Sequence, residues 1–278
     1  MSKIDNTLIA GPWIGEFGWE LFAWQGYIRS LSKHFSKTIV ICRDSSRALY
    51  EDFADSFVSC NERTGDVDSF FMHNFNINVE LKKILLNNKL LNEQNVTLFP
   101  PRRIGWPPQT HYSESIKFGN FDIVPSYIKF QNDSNYKYDY VFHARNRNLN
   151  TGNNWSHENW KKLLKLLGGN VASIGTKSES LHVSGTDDLR GTSLKETIGI
   201  INNTSCVFGP SSGPMHLSSL CATNHVVWGD QNLSQNRYSL NWNPHKTPVL
   251  YLDDFKWQPE PEYVYQRFTE WKTKLTSE

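Results

Sequence analysis

CVFGPSSGPMHLSSLCATNHVVWGD, residues 206–230, reads as strand, glycine turn, helix and strand. Cys206 to Phe208 is apolar, Gly209 to Gly213 is small and flexible, and Met215 to Leu220 places apolar residues at helical spacing. A turn of this kind opens a helix whose first N–H groups are unpaired and carry a partial positive charge. Ser211, Ser212 and Gly213 let a ligand come close to that backbone, so the expected ligand is an anion, a phosphate or a diphosphate. Small-residue turns also occur in α/β domains that bind nothing. Pro214 favours the functional reading because it suits the first helical turn and fixes its geometry. His216 lies one turn inside, facing either the ligand or the core.

The chain has 278 residues, 38% of them hydrophobic and 21% charged, enough for two modest domains with separate cores. A net charge of +1 gives no electrostatic reason for tight non-specific binding to nucleic acid. Cys42, Cys60, Cys206 and Cys221 show no CxxC pairing and read as reduced, buried thiols of a cytosolic protein. The amino terminus has no basic region followed by a long apolar run, and no stretch approaches the ~20 apolar residues that span a bilayer. The expectation is a soluble, cytoplasmic protein, in a host cytoplasm if the source is viral.

In the first half, Thr7 to Ala10 and Thr38 to Cys42 read as strands and Phe57-Val58 as a further extended piece. GPWIGEFGWELFAWQGYIRSLSKHF between the first two runs from a glycine loop into one amphipathic helix, and Ser45 to Phe53 reads as another. This βαβα alternation predicts a parallel sheet with ligands at the carboxyl ends of its strands. The loop after the first strand is then a site by position, and it carries Glu16 between Gly15 and Phe17-Gly18. Partial desolvation there would make its carboxylate a better proton acceptor. The competing reading is that Glu16 stabilises the amino end of the following helix. Glu20, one turn on, is more simply explained by a cap or a salt bridge. Trp13 and Trp19 flank the loop and are the candidate acceptor-facing aromatics.

Val79 to Leu91 is helical in pattern, and FPPRRIGWPPQTHYSES, residues 99–115, is denied regular structure by its prolines. Arg102, Arg103 and Trp106 on that loop suit a phosphorylated or nucleic-acid acceptor, gripped by charge and stacking; a loop packed on its own prolines explains them equally well. A second alternation begins at Tyr138 with strand, polar loop, helix and strand. Its helix, Ser156 to Leu167, starts at Ser156 and is ended by Gly168-Gly169. Arg145 and Arg147 leave the carboxyl end of its first strand, where basic side chains can meet a diphosphate; structural ion pairing would also account for them. Thr192 or Ser193, with Glu196 nearby, caps a later helix, and Pro261 begins the last one.

GPSSGPMHLSSLCATNHVVWGD resembles the donor-site signature of the heptosyltransferases of glycosyltransferase family 9, in which Ser/Thr-Gly-x-x-His-Leu opens a small-residue helix. The resemblance is good from about Arg145 to Asp230 and weaker over Thr7 to Phe53. It implies a GT-B-like α/β fold, two Rossmann-like domains facing a central cleft. Residues 1–134 would take the acceptor, 135–258 the nucleotide-sugar, and 259–278 would form a helix crossing back to the first domain. It also implies that Glu16, where the family has an aspartate, removes the acceptor proton. Ser211 replaces the family's aspartate. Asn153 replaces the phosphate-contacting lysine of a Lys-x-Trp-Pro-x-x-x-Trp region whose tryptophans Trp155 and Trp160 match. Arg145 or Arg147 would then supply the charge, with the N–H groups of Ser212 and Gly213. Gly175 opens the segment whose Glu179 would contact the donor ribose, Thr192 would line the base pocket, and His216 completes the donor set. The activity so implied is an inverting, metal-independent transfer of a sugar from a nucleotide-diphosphate donor to an acceptor hydroxyl, with no cofactor. The acceptor is a carbohydrate or a hydroxylated base in DNA. A non-catalytic nucleotide- or sugar-binding module is the reading from another class.

Overall fold

The computed structural model describes residues 4–61, 77–90, 95–101, 111–231 and 236–277. The chain divides into two compact units, Met1–Tyr127 and Ile128–Glu278, seven residues before the boundary expected from sequence.

In the first unit, strands β1 (Ile4–Ala10), β2 (Phe35–Cys42), β3 (Ser56–Ser59) and β4 (Val96–Phe99) form a parallel sheet in the order β3-β2-β1-β4. Leu8-Ile9-Ala10 and Ile39-Val40-Ile41 are buried throughout, as in a parallel sheet covered on both faces. The single helix expected after β1 is two, α1 (Phe17–Ala23) and α2 (Gln25–Ser32). The break falls at Trp24 (φ −134°, ψ −67°), whose indole stacks with both Trp13 and Phe99. Periodicity continues across the break, so only that packing reveals it. Ser45 to Phe53 proves to be a 3-10 turn over Asp44–Leu49. Helix α3 (Ile77–Asn87) puts Leu81, Ile84 and Leu85 against Ile9, Ile39 and Ile41. A small antiparallel hairpin of β5 (Ile116–Phe118) and β6 (Phe121–Ile123) follows, in a stretch where the sequence shows no clear period.

The described residues of the second unit form six strands: β7 (Tyr138–Phe142), β8 (Val171–Ser173), β9 (Asp187–Asp188), β10 (Thr204–Pro210), β11 (His225–Trp228) and β12 (Val249–Leu252). They pair in parallel in the order β12-β11-β10-β7-β8-β9, a doubly wound sheet. Helices α4 (His157–Leu167), α5 (Leu194–Asn202), α6 (Gly213–Leu220) and α7 (Pro261–Ser277) accompany them. The core gathers Phe142, Trp155, Trp160, Phe208 and Trp228. Helix α7, expected from the resemblance to cross back to the first domain, puts Val264 and Phe268 into this core. Ser156 caps α4 through the Asn159 amide at 3.1 Å, and Gly168 ends it at φ +62°, as read from sequence. The four cysteines are buried and free. Among the described residues no helix is long and apolar enough to cross a membrane.

Candidate functional site

In the second unit the strand order reverses between β7 and β10, the place where doubly wound sheets take ligands beyond the strands' carboxyl ends. His143 follows β7 there, and Ser211 and Ser212 follow β10. Ser212 is the N-cap of α6, in extended conformation, yet its hydroxyl makes no capping bond and instead lies 2.9 Å from His143 Nδ1. The other two serine N-caps of this unit behave differently: Ser156 and Ser193 accept from the amides of Asn159 and Glu196 at 3.1 and 3.2 Å. Burial, with help from the Arg145 charge, lowers the pKa of His143 to about 3. The imidazole is therefore neutral at ordinary pH and serves as a hydrogen-bond partner, not as a cation.

Two glycines let these residues meet. Gly175, just past β8, has φ +119°, and a Cβ there would sit 2.6 Å from Ser180 Oγ and 3.0 Å from His143 Cδ2. Gly209, within β10, would bring a Cβ to 2.8 Å from Met215 Sδ and 3.0 Å from the His143 carbonyl oxygen. Tyr238, from a π-helical turn over Arg237–Asn241, completes the arrangement. Its hydroxyl accepts from the Ser212 N–H at 3.1 Å and lies 3.3 Å from the Ser212 carbonyl oxygen. Burial raises its pKa to about 12. His216 stacks on Tyr238 at 4.2 Å and meets Trp242 at 4.8 Å, and burial together with Arg237 and His225 holds it well below the usual histidine range. Tyr238 escaped the sequence reading because it lies 26 residues from the turn that it clamps, in no motif.

These contacts show where the residues expected at the donor site lie. The Ser212 amide, read as a diphosphate donor, is engaged by Tyr238. The Ser211 amide donates to the Trp228 carbonyl at 2.8 Å and continues the parallel pairing of β10 with β11 past Pro210. Gly213 is the first residue of α6. Arg145, read as a cation facing the ligand, is 5% exposed and folds back on its own loop, donating to the carbonyls of Leu149 and Asn150 at 3.1 and 3.2 Å and to Asn154 Oδ1. Arg147 and Glu179, assigned to phosphate and ribose, stand 3.6 Å apart as an ion pair. Asn154 holds the Arg147 backbone on both sides, and Asn153 lies in the adjoining 3-10 turn. Thr192 Oγ1 donates to the Leu189 carbonyl at 2.9 Å, while Ser193 forms the capping box with Glu196.

In the first unit the strand order reverses between β1 and β4, and the loop at that point carries Glu16. Glu16 is the N-cap of α1 and half-buried, with no side-chain capping bond. Its carbonyl oxygen accepts from the Trp13 indole N–H and from the Glu20 amide, each at 3.1 Å. Glu20, by contrast, is 0% exposed: it pairs with Arg43 and accepts from Ser46 Oγ at 3.0 Å and Tyr50 Oη at 2.7 Å. Burial works against the Arg43 charge, but Glu20 outweighs it and raises the Arg43 pKa. Burial and Glu20 together push the Tyr50 hydroxyl well above its ordinary value. Glu20 is thus structural, as the salt-bridge reading had it. Trp13, expected to face an acceptor, is 0% exposed, because its ring stacks on Trp24 beneath the loop. Trp19 is half-buried on α1. Arg102, Arg103 and Trp106 lie outside the described residues. Among the described residues no group of three or more His, Cys, Asp or Glu could hold a metal ion.

No protein-family model and no curated protein matches the sequence. Solved structures do match in fold. The E. coli ADP-heptose lipopolysaccharide heptosyltransferase II superposes with a TM-score of 0.62 at 12% identity, over 98% of this chain and 99% of that one. A family 9 glycosyl transferase from Veillonella parvula gives 0.61 at 10%, covering 98% of each chain. The E. coli heptosyltransferase solved with ADP gives 0.59 at 11%, over 96% of this chain and 99% of that one. The chain therefore has the GT-B fold of these proteins, the fold expected from the resemblance of its sequence.

Proposed function

We propose that the protein is a glycosyltransferase that moves a sugar from a nucleotide diphosphate to an acceptor hydroxyl, with inversion and without a metal ion. The observation that carries this reading is the start of α6. There a serine N-cap leaves its own helix uncapped and turns to a neutral histidine at the reversal point of a doubly wound sheet. First-turn amides that no side chain caps suit an anion, and the solved structures that share the fold include a heptosyltransferase with ADP. In this reading Glu16 takes the proton of the acceptor hydroxyl as that oxygen bonds to the anomeric carbon. The bond from that carbon to the diphosphate breaks, and the departing diphosphate keeps the electron pair. Helix amides beginning at Gly213 meet its growing negative charge, the role that fixed dipoles serve best because they need no rearrangement.

The mutual pairing of Arg147 with Glu179, and the enclosure of Arg145 in its own loop, favour the second reading, a nucleotide-binding module without turnover. A panel of ADP-, UDP- and GDP-linked sugars separates the two. Slow donor hydrolysis that Glu16→Gln lowers by about 10²–10⁴-fold, with nucleoside diphosphate affinity unchanged, supports the transferase. Binding without turnover, or hydrolysis indifferent to Glu16→Gln, rejects it.

A further inference from the structure

The buried cluster around Glu20 has a second end. Arg43, the residue after β2, gives Nη2 to the Glu20 carboxylate and Nη1 to the carbonyl oxygen of Gly15 at 3.1 Å. Gly15 is the residue before Glu16. The next carbonyl, that of Glu16 itself, is held by the Trp13 indole N–H. Two consecutive carbonyls of one loop are therefore fixed from below by side chains that are themselves buried. The cluster is anchored in turn: Ser46 and Tyr50, from the segment after β2, donate to the two Glu20 oxygens. The planar guanidinium is the feature that lets one side chain serve both partners, because its nitrogens lie in a fixed fork; an ammonium is a point charge and lacks that geometry.

We infer that Arg43, oriented by Glu20, is a positioning residue: it fixes the backbone at Gly15 so that the Glu16 carboxylate stands in one place for proton transfer. This rests on the reading of Glu16 as the base. Packing alone does not require the arrangement. A salt bridge between Arg43 and Glu20 would hold α1 to the end of β2 without the bond to Gly15, and the Trp13–Trp24 stack already fills the space beneath the loop.

The test is Arg43→Lys in the full chain, which keeps the charge that Glu20 needs and removes the fork. Amide hydrogen exchange reads the positioning directly. Exchange across Gly15 to Gly18 should quicken by about tenfold while that of Leu8 to Ala10 is unchanged; unchanged exchange in the loop overturns the inference. Donor hydrolysis with the nucleotide-sugar panel reads the consequence. Arg43→Lys should lower kcat by roughly 10–100-fold, the scale of a misplaced catalytic group, and leave the donor KM alone. In the Glu16→Gln background it should cause no further loss, since a residue that acts through Glu16 has nothing left to position. An equal loss in both backgrounds, or wild-type kcat in Arg43→Lys, overturns the inference. Full activity in Glu16→Gln alone overturns the base assignment as well, and so marks failure of the functional reading apart from failure of the positioning role.

Discussion

The loop after β1 and the turn after β10 occupy the same place in their two sheets, the reversal of strand order, and are built in opposite ways. The loop after β1 carries a carboxylate on a backbone fastened from beneath by Arg43 and Trp13. The turn after β10 carries small residues whose polar atoms are turned aside, the Ser212 hydroxyl to His143 and the Ser212 amide to Tyr238. One holds a side chain still, the other keeps a helix end uncapped. Ordinary helices in the same chain do neither, since Ser156 and Ser193 simply cap. A helix start that forgoes an available cap gives up about 1 kcal/mol, so it marks a position where something other than stability sets the residue.

The contrast is sharpest in acid. Burial, with Arg145 at His143, brings His143 to about 3; burial brings His225 to about 4 and, with Arg237 and His225, takes His216 lower than the usual range. Unfolded histidines titrate near ~6.5. Between about pH 6.5 and 3 the unfolded chain takes up protons that the native state refuses, so stability is full above that window and falls as pH falls through it. All three histidines belong to the second unit. Hydrogen exchange at pH 4.5 should show protection lost in β7 and β10 ahead of β1 and β2; loss in the opposite order would break the comparison.

Backbone space gives the next largest effect. Gly11 has φ +115°, and a Cβ there would lie 2.1 Å from the Ile41 carbonyl oxygen, backbone that cannot yield cheaply. Gly11→Ala should cost about 4 kcal/mol in denaturant unfolding. Gly175→Ala should cost less, about 2 kcal/mol, because part of its clash is with the Ser180 hydroxyl, which can turn away. It should also weaken nucleoside diphosphate binding, since another atom in the way, Cδ2 at 3.0 Å, belongs to His143. Equal costs would show the loop after β1 and the loop after β8, which packs on His143, to be equally constrained.

The smallest effect concerns the caps themselves. Ser156→Ala and Ser193→Ala should each lower stability by about 1 kcal/mol. Ser212→Ala has no capping bond to lose but takes the hydrogen-bond partner from buried His143, so it should cost about as much, ~1 kcal/mol, while raising the Kd for nucleoside diphosphates several-fold. Denaturant titration and calorimetric binding of ADP, UDP and GDP measure both quantities.

Much of this was readable before any coordinates. The apolar runs of β1, β2, β10 and β11, the Ser156 cap with its Gly168 stop and the Pro214 helix start are local features, decided by residues within a few positions of one another, and the structure has them. The break at Trp24 was not readable, because it depends on Phe99, 75 positions away, as the partner of its indole. Nor were the roles of the charged residues. Arg145 meets the oxygens of its own loop, Arg147 meets Glu179, and Glu20 meets Arg43, Ser46 and Tyr50. A charge in a sequence has only a type and a position, and its partner is chosen by which strand ends the sheet brings together.

By itself, then, the sequence determined two runs of strand and helix, parallel sheets, and a small-residue turn opening a helix, since hydrophobic period, glycine and proline act over a few residues. Tertiary structure alone decided that Ser212 turns to His143, that Tyr238 takes its amide and that Arg43 reaches Gly15. Those bonds join residues 26 to 69 positions apart, and only the register of neighbouring strands and the packing of buried groups can set such distances.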